Sequence, residues 1–339
     1  MPENVSISVL NAGNPFGVLE FLHWDYPWSN YKYAQKDDIR RAVRLMKEAG
    51  IGWVRMDFLW EDIEPRHGEF QFVKYDFLVN LLAENGIQVL GLLDYCAPWA
   101  NAQNQWNYPP RENQLFVDYA LTVIARYKDQ VKYWEVWNEP DSNIYWAAQD
   151  GLKSYCALLK GVYAAAKKID PDCKILNGGL ANGIASVNQL YDNGAKDCFD
   201  ILNIHIFESP LDAVAIKRVL AYPKLAYKIM RRNGDTAKKI WVTEIGCPGM
   251  MLGIETKNWW IGGNPSEEQQ AEWAREVFSK LIKQEAIEKV FWAFFRDCKG
   301  HWNNGTDYFG LVRWDFSKKP AFFSYKRCVE NWRASKLKK

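Results

Sequence analysis

Short apolar runs rich in β-branched and aromatic residues recur along the chain and alternate with longer stretches whose apolar positions fall every three or four residues. The runs are GVLEFL (17–22), WVRMDFLW (53–60), QVLGLLDY (88–95), VKYWEVWNE (131–139), KILNGGLA (174–181), DILNIHIF (200–207), KIWVTEIG (239–246) and KVFWAFFRD (289–297). Each reads as a strand. Between them, KDDIRRAVRLMKEAG puts Ile39, Val43 and Met46 on one helical face and stops at Gly50. SEEQQAEWAREVFSKLIKQE opens with Ser266 as cap, acids in its first turn and Pro265 just before it; these are helix start and stop signals. RENQLFVDYALTVIARY and GLKSYCALLKGVYAAAKKID follow the same pattern. Strict alternation of strand and helix, with crossovers too long for hairpins, predicts a parallel sheet. Eight such units predict a closed α/β (β/α)8 TIM barrel forming a single domain over residues 1–339. The alternative is an open doubly wound sheet, which normally carries a Gly-rich first βα turn. The first turn here, LHWDYPWSNYKY, has no glycine.

In such barrels function sits in the βα loops at the C-terminal ends of the strands, while the αβ turns serve stability. The αβ turns EAGIG, AENGIQ, KDQVK and DPDCK are short, polar and free of aromatics. The βα loops are the opposite: HWDYPWSNYKY, CAPWANAQNQWNYPP, PDSNIYWAAQD, CPGMMLGIETKNWWIGGNP and CKGHWNNGTDYFG. Trp24, Trp28, Trp60, Trp99, Trp106, Trp146, Trp259, Trp260, Trp302 and Trp314 all fall on that side, ten of the 17 tryptophans. Flat apolar faces interleaved with Asn, Gln, Asp and His suit sugar rings; packing of long loops onto the barrel mouth would use the same residues.

Glu139 closes the fourth run and Glu244 the seventh. Strands 4 and 7 of a closed eight-stranded barrel face one another across the mouth. Two carboxylates so placed can bracket a bond, as acid-assisted glycoside cleavage requires: one protonates the leaving oxygen while the other attacks or activates water. The placement predicts carboxyl groups about 5 to 5.5 Å apart, the spacing of retaining enzymes.

The segments WEVWNEPD and WVTEIGCPG resemble the fourth-strand acid/base and seventh-strand nucleophile motifs of glycoside hydrolase clan A, and residues 50–100 resemble most of all family 39 and its relatives. The resemblance runs from the first strand to the closing YFGLVRWDFSKKPAFFSYK. It implies a retaining mechanism on β-linked glycosides, with Glu139 as acid/base and Glu244 as nucleophile. It further implies that Asn138 holds the sugar 2-hydroxyl and that Arg55 stands beside the nucleophile, although Arg55 could equally form a structural ion pair with Asp57 or Glu20. His205 and Trp292 match positions that line the sugar subsite, and His23 is a further candidate; a satisfied structural role is the alternative for each histidine. Asp94 and Tyr95, at the end of the third run, and Trp99 beyond it are expected to shape the same pocket, unless Asp94 holds a loop. Trp259, Trp260 and Trp302 are expected to meet substrate from the later loops. There are two departures. Phe207 stands where clan members often carry a tyrosine that hydrogen-bonds the nucleophile, so either another tyrosine supplies that contact or the nucleophile is tuned differently. Family 39 xylosidases and iduronidases typically append a β-rich domain, whereas this chain stops soon after its last predicted helix, which leaves the family and the sugar open.

Composition narrows the partners. A formal net charge of +2 with scattered Lys and Arg offers no footprint for nucleic acid or an anionic membrane, and no apolar run reaches the ~18 residues of a membrane span. Seven cysteines, an odd number without a CxxC pair, are expected to be buried free thiols. Four histidines form no HExxH, and neither GxSxG nor GxxxxGKS occurs, so neither metal nor cofactor is expected. The segment MPENVSISVLNAGNPFG has no basic region followed by an apolar run, so no signal peptide is expected; a cytoplasmic protein and one trimmed of its leader both fit. The expected partner is a carbohydrate, handled by a monomer. A transglycosylase using the same residues and a non-catalytic carbohydrate-binding barrel are the rival readings.

Overall fold

The eight apolar runs form β1 (Phe16–Leu19), β2 (Trp53–Leu59), β3 (Gln88–Asp94), β4 (Tyr133–Val136), β5 (Lys174–Asn177), β6 (Ile201–Ile206), β7 (Lys239–Ile245) and β8 (Ile287–Ala293). They pair in chain order, all parallel, and β8 returns to β1 to close the barrel. The helices after successive strands are α1 (Lys36–Ala49), α2 (Val73–Glu84), α3 (Asn113–Tyr127), α4 (Leu152–Ile169), α5 (Ile184–Asp192), α6 (Ala215–Arg232), α7 (Glu267–Leu281) and α8 (Pro320–Leu337). This computed structural model describes residues 13–251 and 263–337; Trp259 and Trp260 lie outside the described residues.

Local signals act as the sequence predicts. Gly50 ends α1 in the left-handed region at φ 77°, which costs glycine nothing. Ser266 caps α7 in a reciprocal box: its hydroxyl accepts from Gln269 N, and Gln269 Oε1 accepts from Ser266 N at 2.8 Å. All seven cysteines are buried and free. Among the described residues no helix is long and apolar enough to cross a membrane.

The barrel interior is layered, because alternate residues of each strand point inward. Trp53, Leu90, Leu176, Ile201, Trp241 and Phe291 form the floor, with Tyr133 packed against them. The Trp241 ring lies 5.1 Å from Trp53 and 5.0 Å from Tyr133. Two residues further along β2 and β4 come Arg55 and Glu135, and two past Ile201 and Trp241 come Asn203 and Thr243, all buried. The apolar floor thus carries a polar storey that faces the mouth.

Several strands end earlier than their apolar runs. The run 131–139 yields a strand only to Val136, because Trp137 (φ 66°) and Glu139 (φ 42°) adopt left-handed backbone and leave the ladder. The run 174–181 stops at Asn177, and 17–22 at Leu19; the eighth strand spans Ile287–Ala293 instead of 289–297. An apolar run does not distinguish the end of a short barrel strand from the loop start packed over it.

Trp241→Ala should remove the centre of the floor and cost about 3–5 kcal/mol. A urea unfolding midpoint within error of the parent protein's would show that the floor is not needed for stability.

Candidate active site

Arg55 is the hub of the site. Its Nε and Nη2 donate to Glu135 Oε2 and Oε1 at 2.6 and 2.9 Å, a two-pronged contact that suits the planar guanidinium. Nη1 donates to Glu244 Oε1 at 2.7 Å, and Nη2 also donates to Asn138 Oδ1 at 2.9 Å. Asn138 Nδ2 in turn donates to the Tyr95 hydroxyl at 3.0 Å. Burial works against the Arg55 charge, and Glu135 and Glu244 more than offset it, holding the guanidinium protonated.

Across from it, His205 Nδ1 lies 2.8 Å from Glu139 Oε1, and Nε2 lies 3.0 Å from Thr243 Oγ1 and 3.7 Å from Glu244 Oε1. The Thr243 hydroxyl donates to Asn203 Oδ1, so it accepts from His205 Nε2. One proton is then shared between Nδ1 and Glu139. Burial disfavours the charged imidazole, but the charges of Glu244 and Glu139 lift its pKa above the ordinary histidine value. Gly179 makes room for the ring: a Cβ there would sit 1.9 Å from His205 Nε2.

Glu139 and Glu244 are both mostly buried and open only to the cleft. Burial raises the Glu244 pKa above the glutamate norm, with His205 and Arg55 pulling the other way. Desolvation outweighs their pull. Glu139, His205 and Glu244 each offer one ligand atom within 4.8 Å of the others, and among the described residues they are the set with metal-ligand spacing. Their donors are already engaged with one another and with Arg55, whose fixed charge would oppose a cation there. The set suits proton transfer better than metal binding.

The site opens into a cleft of about 1650 Å³. His23, Arg55, Tyr95, Asn138, Glu139, His205, Glu244 and Trp302 all line it, with Trp24, Trp28 and Trp106. Trp302 stacks on Phe294 with ring centroids 5.0 Å apart, and Trp28 stands 69% exposed beside Tyr26. Three predicted lining residues do not reach the wall. Trp292 is fully buried outside the barrel, where Nε1 donates to Phe309 O and the ring packs near Phe278 of α7; strand alternation turns Phe291, not Trp292, inward. Trp99 braces the loop after β2, donating to Glu64 O at 2.8 Å and packing on Trp60. Asp94 is wholly buried behind Asp57, and burial together with Asp57 pushes its pKa well up.

Three contributors are not among the site residues expected from the sequence. Glu135 is the main partner of Arg55, in place of Asp57 or Glu20; Glu20 instead accepts from Tyr31, Tyr33 and the Phe295 and Arg296 amides. A lone acid at an inward position of a short apolar strand was the available signal. Asp57 lines the cleft, its carboxyl pushed up to about 7 by burial, with Arg55 opposing. Tyr145 also lines it; burial raises its phenol pKa, and the charges of Glu139 and Glu244 add to this, which places a phenol near both carboxylates where Phe207 carries none.

The closed barrel with its site at the strand ends is that of a glycoside hydrolase, and family 39 enzymes are among the solved structures that share its fold. The family description "Glycosyl hydrolase catalytic core" matches residues 107–309, more than half of the chain, and the chain belongs to that family; a β-galactosidase description matches residues 28–106. A β-1,4-xylanase of Dictyoglomus thermophilum is 23% identical over 259 residues, covering 70% of this chain and 69% of that protein. Avenacosidase 2 of Avena sativa is 30% identical over 138 residues, and the match spans 38% of this chain but 23% of that protein. Among solved structures, a family 39 glycoside hydrolase from the gut symbiont Bacteroides cellulosilyticus WH2 superposes with a TM-score of 0.72 at 22% identity, covering 97% of this chain and 65% of that one.

Glu135→Ala strands the Arg55 charge in the barrel and should cost about 3–5 kcal/mol, the usual loss on breaking a buried ion pair. Chemical denaturation checks this: a change under about 1 kcal/mol would mean that Arg55 is solvated or re-paired.

Proposed function

We propose that the chain hydrolyses β-glycosidic bonds with retention of configuration, Glu139 acting as acid/base and Glu244 as nucleophile. The observation that carries this reading is the approach of the two carboxylates to within 4.8 Å across the mouth, near the spacing of about 5 to 5.5 Å in retaining enzymes and short of the roughly 6.5 to 9.5 Å that leaves room for an inverting water. In the first step Glu244 attacks the anomeric carbon while the proton held between His205 and Glu139 passes to the leaving oxygen. In the second, Glu139 takes a proton from water, which attacks the glycosyl-Glu244 ester from the face the leaving group vacated.

The surrounding groups suit these roles. Arg55 fixes one Glu244 oxygen and leaves the other to attack. Asn138, anchored by Arg55 and Tyr95, faces the cleft beside both carboxylates and is placed to bind the 2-hydroxyl. Tyr145 supplies the phenol that Phe207 lacks. The exposed faces of Trp24, Trp28 and Trp302 along a 1650 Å³ cleft suit more than one sugar ring, which makes an oligosaccharide or polysaccharide the substrate.

Azide separates the two roles. Glu244→Ala should lose turnover of aryl β-glycosides by at least about 10⁴-fold and regain part of it with azide as the α-glycosyl azide, because azide enters from the nucleophile's side. Glu139→Ala with an activated leaving group should give the β-azide, formed on the glycosyl-enzyme. Reversed anomers would exchange the roles, and no azide product from either variant would remove the covalent mechanism.

The acid limb of kcat/KM follows the nucleophile. Glu244 must be ionised to attack and its pKa is raised from 4.5, so activity should be lost as pH falls through a value above 4.5. A limb at or below 4.5 in the free enzyme would contradict this assignment.

A further inference from the structure

On the far side of the His205 ring from Glu139 stand two polar groups that the two chemical steps do not use, Thr243 and Asn203. β6 and β7 pair in register as far as Ile204 and Val242 and resume at His205 and Glu244, so Thr243 is one residue too many for its neighbour. The other edge of β7 slips in the same place, between Val242 and Ile245. Consecutive residues of a regular strand point to opposite faces, but a bulge re-aims them. Here Thr243 and Glu244 both reach one imidazole: Thr243 Oγ1 lies 3.0 Å and Glu244 Oε1 3.7 Å from His205 Nε2. Thr243 and Asn203 are wholly buried, and the backbone of Asn203 is held on both sides by the Asn177 amide, at 2.9 and 3.0 Å. The 2.7 Å between Thr243 Oγ1 and Asn203 Oδ1 is the length of an O–H···O bond, and the 3.0 Å to Nε2 that of an N–H···O bond. The hydroxyl has one proton; given to Asn203, it leaves a lone pair for Nε2–H.

We propose that Thr243, held by Asn203, is a positioning residue: it fixes His205 as the Nε2-protonated tautomer and thereby keeps a proton on the Glu139–His205 pair. Its effect on turnover rests on the glycosidase reading above. With Nε2 protonated, Nδ1 of a neutral ring turns a lone pair toward Glu139 Oε1 at 2.8 Å. An ionised Glu139 would meet that lone pair with nothing between them. Losing the shared proton therefore requires either that repulsion or a change of tautomer that gives up the Thr243 bond. Among the described residues, the charges acting on the ring besides Glu139 are Glu244 on β7, which favours a proton there, and Arg55 on β2, which opposes it together with burial. The Tyr145 phenol, its pKa raised by burial, stays neutral, and Gly179 after β5 brings no charge. The pair acts as an acid while it holds the proton, so acid catalysis is lost as pH rises through the pair's pKa. Removing the Thr243 acceptor lowers that pKa, because a neutral ring can then carry its proton on Nδ1 and donate to ionised Glu139.

The test reads the alkaline limb of kcat/KM for the phenyl β-glycoside turned over best among glucoside, galactoside, mannoside and xyloside, a leaving group that needs the acid. Thr243→Val should move that limb down by about 0.5 to 1.5 pH units, and Thr243→Ser, which keeps the hydroxyl, should leave it within about 0.3 units of the wild type. The matching dinitrophenyl glycoside, whose leaving group departs unprotonated, should change little with either variant. A limb that stays in place in Thr243→Val, or equal losses on both glycosides, would give Thr243 a structural role only and overturn the proposal. So would a limb displaced as far by Thr243→Ser. A second measurement needs no turnover: NMR of protein labelled in the histidine ring nitrogens, with His205→Gln identifying the His205 signals among the four histidines. Once neutral, wild-type His205 should carry its proton on Nε2, and Thr243→Val should shift it toward Nδ1. A neutral wild-type ring protonated on Nδ1 would overturn the proposal even if Thr243→Val does not fold. The expected tautomer in a protein that turns over no glycoside would keep this inference and remove the glycosidase reading.

Discussion

The structure depends on one buried guanidinium. Arg55 joins three strands, tying β2 to Glu135 on β4 and to Glu244 on β7, and it reaches Asn138 beyond β4 as well. Glu135 makes this possible. With one charge neutralised by a partner that never meets substrate, Arg55 can sit above an apolar floor and still direct a donor at Glu244. Glu135 is itself held by a third contact, from Gly179 N at 3.0 Å, so the rear of the network is closed and its front faces the cleft. A charge so deeply placed is a liability without such partners and a fixed reference point with them.

The opposite side of the mouth is organised by backbone. Trp137 and Glu139 both hold left-handed φ, a cost of order 1–3 kcal/mol each that the surroundings must offset. The Trp137 ring supplies part of that: it is buried against Trp146, and its Nε1 donates to Tyr145 O at 2.8 Å. That bond also fixes the loop bearing Tyr145. The turn that aims Glu139 at His205 and the loop that brings a phenol toward the carboxylates are therefore one unit, anchored by the same tryptophan.

Much of this was legible in the chain. The eight units, the closed barrel, the contrast between plain αβ turns and aromatic βα loops, and the two strand-end glutamates follow from periodicity and position. The misreadings have physical causes. Trp292 was matched by position, but the alternation of β8 turns it toward α7. Trp99 and Asp94 lie on the correct face of the barrel and are spent below its surface, one as a brace and the other as a buried carboxyl. Of the loop tryptophans, Trp24, Trp28, Trp106 and Trp302 reach the cleft, whereas Trp60 and Trp146 are core; composition does not tell these apart because both uses need a flat apolar ring. Glu135 and Tyr145 were missed because their importance comes from a partner distant in sequence.

Exposure alone does not separate the two glutamates, since each shows a similar fraction of its side chain to the cleft, 14% for Glu139 and 13% for Glu244. Their partners do. Glu244 is bound by a guanidinium that cannot give up its proton at any relevant pH, so its nearest contact stabilises negative charge and supplies nothing to transfer. Glu139 is bound by an imidazole, a group that titrates in the range where enzymes work, and the two share a proton. A carboxylate beside a permanent cation is suited to carry charge through a covalent step, and one beside a titrating base is suited to lose and regain a proton. That asymmetry, set by residues on β2 and β6, supports Glu244 as nucleophile and Glu139 as acid/base independently of any motif.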